Sequence, residues 1–211
     1  MVCVICNQRK ARRFCPAKGS KICSLCCGTE REETIDCPFD CSYLQESREH
    51  EYKGLLDPKG FPYKDIRIDE TFLRDHDGLL VACGRAVLSG ALETGKATDG
   101  DVREALDALI QTYKTLESGI YYETRPESAY ARAILSRVQE QLQKFKEDET
   151  QQTGFSRTRD HDILTLLVFL YRMALDRDNK RSRGKAFLDF LRLHFEPSDT
   201  RTTPSLIIPG S

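Results

Sequence analysis

Eight of the nine cysteines in this chain fall between residues 3 and 41: Cys3, Cys6, Cys15, Cys23, Cys26, Cys27, Cys37 and Cys41. Cys3/Cys6 and Cys23/Cys26 are separated by two residues, Cys37/Cys41 by three. Pairs this close suit a tetrahedral ion, because a tight turn aims two thiolates at one zinc about 2.3 Å away. Eight ligands make two closed four-sulfur sites, so two structural zinc ions are the expected cofactors. A disulfide framework is the competing reading, but thiols in a reducing compartment stay reduced. A catalytic zinc would keep one position open for water, which a four-cysteine site does not.

Consecutive side chains diverge, so Cys26 and Cys27 are assigned to different ions and the sites interleave. The expected sets are Cys3, Cys6, Cys23, Cys26 and Cys15, Cys27, Cys37, Cys41. Exchange of Cys23 and Cys27 is the alternative. The larger apolar residues of this segment, among them Phe14, Ile22, Ile35 and Leu44, are too few to fold it unaided. A structural zinc adds on the order of 10 kcal/mol of binding-coupled folding energy. The finger is therefore expected to melt with chelator while the rest stays folded.

The ladder from Cys3 to Cys26, with spacers of two, eight, seven and two residues, resembles the B-box zinc module. Phe14 and Ile22, just before Cys15 and Cys23, fit it too. The second-ligand histidine of that module is Cys6 here. Its acidic ligand falls on Lys18, so Cys27 must substitute, and its closing histidines correspond to Cys37 and Cys41. The resemblance covers about a fifth of the chain and implies a small cross-braced fold with short β-hairpins. The stretch CSLCCGTEREETIDCPFDCSYL also resembles a cysteine signature of uncharacterised bacterial proteins, which implies no function.

Charge within the finger is lopsided. Residues 1–29 contain Arg9, Lys10, Arg12, Arg13, Lys18 and Lys21 and no acid, whereas residues 30–50 hold seven acids against Arg31 and Arg48. The cations form a candidate nucleic-acid face. Equally, they offset the net charge of about −2 that four thiolates leave on a zinc ion. A nucleic-acid site usually adds stacking aromatics, and this lobe offers only Phe14.

At 211 residues the chain allows one good core and a small satellite domain. A net charge of −1 announces neither a nucleic-acid binder nor a membrane-surface protein. The most apolar run, Ile163 to Leu175, includes Arg172 and is too short to span a bilayer. The N-terminus lacks the apolar stretch of a signal peptide, so a cytoplasmic location is expected.

Residues 1–45 read as the finger, 46–68 as a Pro/Gly connector, 69–196 as a five-helix domain and 197–211 as a loose tail. Pro58, Gly60 and Pro62 break regular structure in the connector, while Phe61 and Tyr63 are worth burying. Helical periodicity then marks segments at about 70–93, from 99 onward, from near Pro126, at 161–176 and at 183–195. Thr98 and Asp101 have capping-box spacing. The fourth segment is apolar nearly all round and should lie centrally. Leu206-Ile207-Ile208 is the one apolar patch of the tail.

Arg-Asp-His-Asp occurs at 74–77 and at 159–162. The His76-Asp77 and His161-Asp162 dyads superficially resemble those of HD-type phosphohydrolases, which need a further His and Asp. Only His50 and His194 remain as extra histidines. The plainer reading is a pair of helix starts, where Asp offsets the positive end of the helix. The run Arg177–Lys185, with five basic residues, is either a phosphate site or a solvated loop.

The expected whole is a zinc-stabilised finger on an all-α bundle. It reads as a non-enzymatic adaptor whose partner is another protein or a second copy of the chain. Nucleic-acid binding is the first alternative and metal-dependent hydrolysis the second; no membrane partner is expected.

Overall fold

The computed structural model describes residues 1–51 and 60–195. Pro58 of the connector and the Leu206–Ile208 patch lie outside them. Cys3, Cys15, Cys23, Cys26, Cys27, Cys37 and Cys41 are buried together with Ile22, Ile35 and Leu44, so the thiols themselves make most of the finger's interior. Its only paired strands among the described residues are β1 (Arg13–Cys15) and β2 (Ser20–Ile22), antiparallel with Phe14 opposite Lys21. Pro16 opens the connecting turn and Gly19 closes it at φ 58°, in the left-handed region that glycine tolerates. Cys23 then starts α1 (Ser24–Glu30), its sulfur accepting the Cys26 N–H. A further helix, α2 (Ser42–Glu51), runs through residue 45, the expected end of the finger.

The remainder is helical: α3 (Glu70–Asp75), α4 (Asp77–Thr94), α5 (Asp99–Glu117), α6 (Ala129–Thr153), α7 (Asp160–Asp176) and α8 (Ala186–Phe195). The segment expected as one helix over 70–93 is broken at His76. There His76 leaves helical geometry and its Nδ1 lies 2.9 Å from the Phe72 carbonyl, closing α3 with the two rings stacked. The Thr98–Asp101 capping box at the start of α5 is present as read. α6 starts later than Pro126 because Ser128 caps it, accepting the N–H groups of Tyr130 and Ala131.

α7 is the centre, with Ile163, Leu164, Leu166, Leu167, Val168 and Leu170 all buried. It packs on α5, which also touches α6 and α8, and α4 lies along α6 and under α8. The α4–α6 approach is close at Gly90, where a β-carbon would sit 2.9 Å from the Ile134 Cα. Asp99 reaches across from α5 to accept the Phe187 and Leu188 N–H groups at the start of α8. Burial pushes its carboxyl up to about 7 even against those donors. Cys83, the ninth cysteine, lies in this core, and burial pushes its thiol up to about 12, as suits an inert packing residue. No helix among the described residues is long and apolar enough to cross a membrane.

The connector's aromatics are put to use where described. The Tyr63 hydroxyl bonds Asp107 and Gln111 of α5, and Arg172 of α7 donates to the carbonyls of Pro62, Tyr63 and Ile66.

Candidate metal centre

The sulfurs of Cys3, Cys6, Cys23 and Cys26 all lie within 4.8 Å of one another. A tetrahedral ion with bonds of about 2.3 Å needs sulfurs about 3.8 Å apart, a spacing compatible with that limit. Each pair comes from a tight turn: the Asn7 N–H returns to the Cys3 carbonyl at 2.8 Å, and the Cys27 N–H to the Cys23 carbonyl at 3.0 Å. Asn7 takes a left-handed φ of 51° to make the first of these.

The electrostatics fit a cation. Burial works against the Cys3 thiolate, yet backbone N–H groups of Cys6, Cys23 and Ile5 hold its pKa below the usual thiol value. Burial pushes Cys26 the other way, and hydrogen bonding with Cys23, Cys6 and Cys3 adds to the effect. Backbone N–H groups of Arg9 and Gln8 likewise lower Cys6, so thiolates on the Cys3–Cys6 turn are favoured while one at Cys26 is resisted. A divalent ion at the centre would remove that resistance.

The second expected set is placed less tightly. Cys15 at the end of β1, Cys27 on α1, and Cys37 and Cys41 before α2 are all buried. Cys37 is raised first by burial, with the nearby Glu32 backbone acting against it and the charges of Glu32, Cys41 and Cys15 adding to it. Among the described residues, no three sulfurs of this set reach the mutual closeness of the first. The Cys27 sulfur instead lies 3.5 Å from Arg13 Nη1 and 3.8 Å from Arg31 Nη2. Cys23, not Cys27, joins the first set, which keeps the adjacent Cys26 and Cys27 apart. All nine cysteines are unpaired thiols.

The basic lobe divides into two kinds of cation. Arg13 turns inward, bonding Cys27 and stacking 4.6 Å from the Tyr43 ring. Arg9, Lys10, Arg12, Lys18 and Lys21 are exposed and take part in no ion pair given by the described residues. Among the described residues the His-Asp dyads gather no group of three metal ligands. His76 approaches Asp162 at 3.8 Å, whereas His161 is bound to Glu117 at 2.7 Å. His194 packs on Phe190, and His50 is exposed on α2. Asp162, in the first turn of α7, accepts the backbone N–H of the N-cap Arg159 and pairs with its guanidinium, the helix-start role.

The residue sequence reasoning missed is Glu32. It is fully buried at 0% exposure and sits at a left-handed φ of 51°. A carboxylate so placed is tolerable only with a full set of donors. Arg48 of α2 supplies one at 2.8 Å, Asn179 another at 2.8 Å and the Lys185 N–H a third at 2.9 Å. The Glu32 carbonyl accepts the Arg183 N–H at 2.7 Å. Around it Arg181 donates to the Arg31 carbonyl, Ser182 to Glu33 and Lys185 to Asp36, while Arg48 also pairs with Asp189 of α8. The basic run 177–185 is therefore neither a solvated loop nor an open phosphate site, but the strap that fastens the finger to the helices. It bends so tightly that a β-carbon at Gly184 would collide with the Asn179 side-chain oxygen. Nothing in the local sequence of Glu32 marks this, because its donors come from residues 48 and 179–185.

Comparison with protein-family models, curated proteins and solved structures finds no match for the chain.

Proposed function

We propose that this protein is a non-enzymatic zinc-binding interaction module. Its cysteine-rich finger is a cross-braced, B-box-like unit held by two structural zinc ions, and it serves as a protein-recognition surface working in the cytoplasm. The supporting observation is the four-sulfur set Cys3, Cys6, Cys23, Cys26, gathered within 4.8 Å. Four protein sulfurs complete a tetrahedron and leave no position for a substrate or activated water. Cys15, Cys27, Cys37 and Cys41 would hold the second ion. All four are buried in one cluster, and Arg13 and Arg31 set positive charge against the Cys27 sulfur. Unpaired thiols suit a reducing compartment.

Metal analysis of reduced protein tests the reading. Two zinc ions per chain are expected, with one lost in Cys3→Ser/Cys26→Ser and the other in Cys37→Ser/Cys41→Ser. Protein that purifies without zinc, and whose melting is unmoved by chelator, overturns it. Loss of both ions in the second pair alone would show that the first set is not an independent site.

A further inference from the structure

We infer that the outer face of the β1–β2 hairpin is a docking site for an acidic protein segment carrying apolar anchors. This deepens the interaction role proposed above and rests on it. Three observations carry it.

The first is the row of side chains that backbone pairing brings together. Phe14 and Lys21 are direct partners in the antiparallel ladder, and the Val4 N–H reaches the Lys21 carbonyl at 3.5 Å. Val4, Lys21 and Phe14 therefore lie side by side on successive backbone segments. Direct cross-strand partners share a face. Cys15, one residue from Phe14 on β1, points into the thiol cluster, so the strand's alternation turns Phe14 outward, and Val4, in the turn that follows the buried Cys3, is exposed beside it. Phe14 is 55% exposed, Val4 50% and Val2 53%.

The second is that the charge of this face lacks an internal purpose. If cations in the lobe were there only to offset thiolates, they would lie against sulfur. Arg13 and Arg31 do so, at Cys27. Arg12, Lys18 and Lys21 are exposed instead, with no acid anywhere in residues 1–29 to answer them.

The third is the choice of apolar residues. Phe14 is the one aromatic of residues 1–29, and its exposed companions Val2 and Val4 are aliphatic. Bases stack on aromatic rings and gain little from valines. An apolar centre with a charged rim is the anatomy of a protein interface, and a positive rim selects a negative partner.

The test uses full-length, zinc-loaded protein and a short fluorescent peptide alternating Asp and Glu with Leu and Phe, read by anisotropy. Controls are an all-Glu peptide, a single-stranded oligonucleotide and vesicles of mixed anionic and neutral lipid. Saturable binding of the alternating peptide is expected, tighter than any control and weakened by salt. Val4→Ser/Phe14→Ser should weaken it about 30-fold, as removal of a buried anchor does. Lys18→Glu/Lys21→Glu should weaken it about tenfold or more, with the steepest effect at low salt. Zinc content and melting of both variants are measured alongside and should match the parent, which separates loss of this face from loss of the metal-held finger. No peptide binding by a zinc-loaded parent, equal binding by both variants, or preference for the oligonucleotide or the vesicles each overturns the assignment.

Discussion

Replacing Glu32 with alanine should loosen the whole molecule, although the residue is a charged one. Truncation leaves the Asn179 amide and the Lys185 N–H without their acceptor. Each orphaned donor costs about 1–3 kcal/mol. Arg48 loses one of its two carboxylates but keeps Asp189, so the effect falls at the lower end of the roughly 3–5 kcal/mol seen when a buried pair is broken. The overlapping effects come to about 4 kcal/mol. At about 2–4 °C per kcal/mol for a chain of this size, melting should fall by roughly 8–16 °C. Thermal unfolding followed by circular dichroism reads this, with Glu46→Ala as the control. Glu46 is exposed on α2, and its removal should change stability by no more than about 0.5 kcal/mol. Amide exchange should accelerate across residues 179–185 in the Glu32 variant. Equal melting of the two variants would refute the claim that one buried carboxylate fastens the finger to the helices.

The close approach of α4 and α6 makes two glycines behave oppositely. Gly90→Ala sets a β-carbon against backbone and should lower stability by about 1–3 kcal/mol despite better helix propensity. Gly78→Ala meets nothing closer than 4.0 Å and should raise it by up to about 1 kcal/mol; urea titration distinguishes them. Asp162→Asn should remove about 1 kcal/mol of capping at neutral pH. Burial opposes the Asp162 carboxylate, but Arg159 and His76 hold its pKa below the ordinary 3.8. Because the folded value is the lower one, its contribution is present above the unfolded value and disappears as pH falls through the folded one. Melting of parent and Asp162→Asn should therefore converge on acidification below 3.8. Chelator should do more than melt an isolated finger. Since the Glu32 backbone lies beside Cys37 while its side chain holds Asn179, removing metal should also speed amide exchange in the strap.

Local pattern made much of the molecule legible. The tight cysteine pairs announced the first sulfur set, and even its membership, because adjacent Cys26 and Cys27 diverge. The apolar girdle of Ile163–Leu170 announced the central helix, and Thr98 with Asp101 announced where α5 begins. Each of these signals is carried by residues within a turn or two of one another, so the chain alone contains it. The break at His76 was less visible, since the helical stripe continues through it and only the bond back to Phe72 closes α3.

The attachment of finger to helices belongs to the tertiary structure. Residues 177–185 look like any basic loop until Glu32, Glu33 and Asp36 are brought against them from nearly 150 positions away. Likewise, composition counts six cations in the basic lobe but does not sort them. Only folding turns Arg13 toward a sulfur and leaves Lys18 and Lys21 facing water. Spacing along the chain sets which ligands share a turn. Whether a charge is buried, paired or free depends on what the fold packs against it, and that has no counterpart in the local sequence.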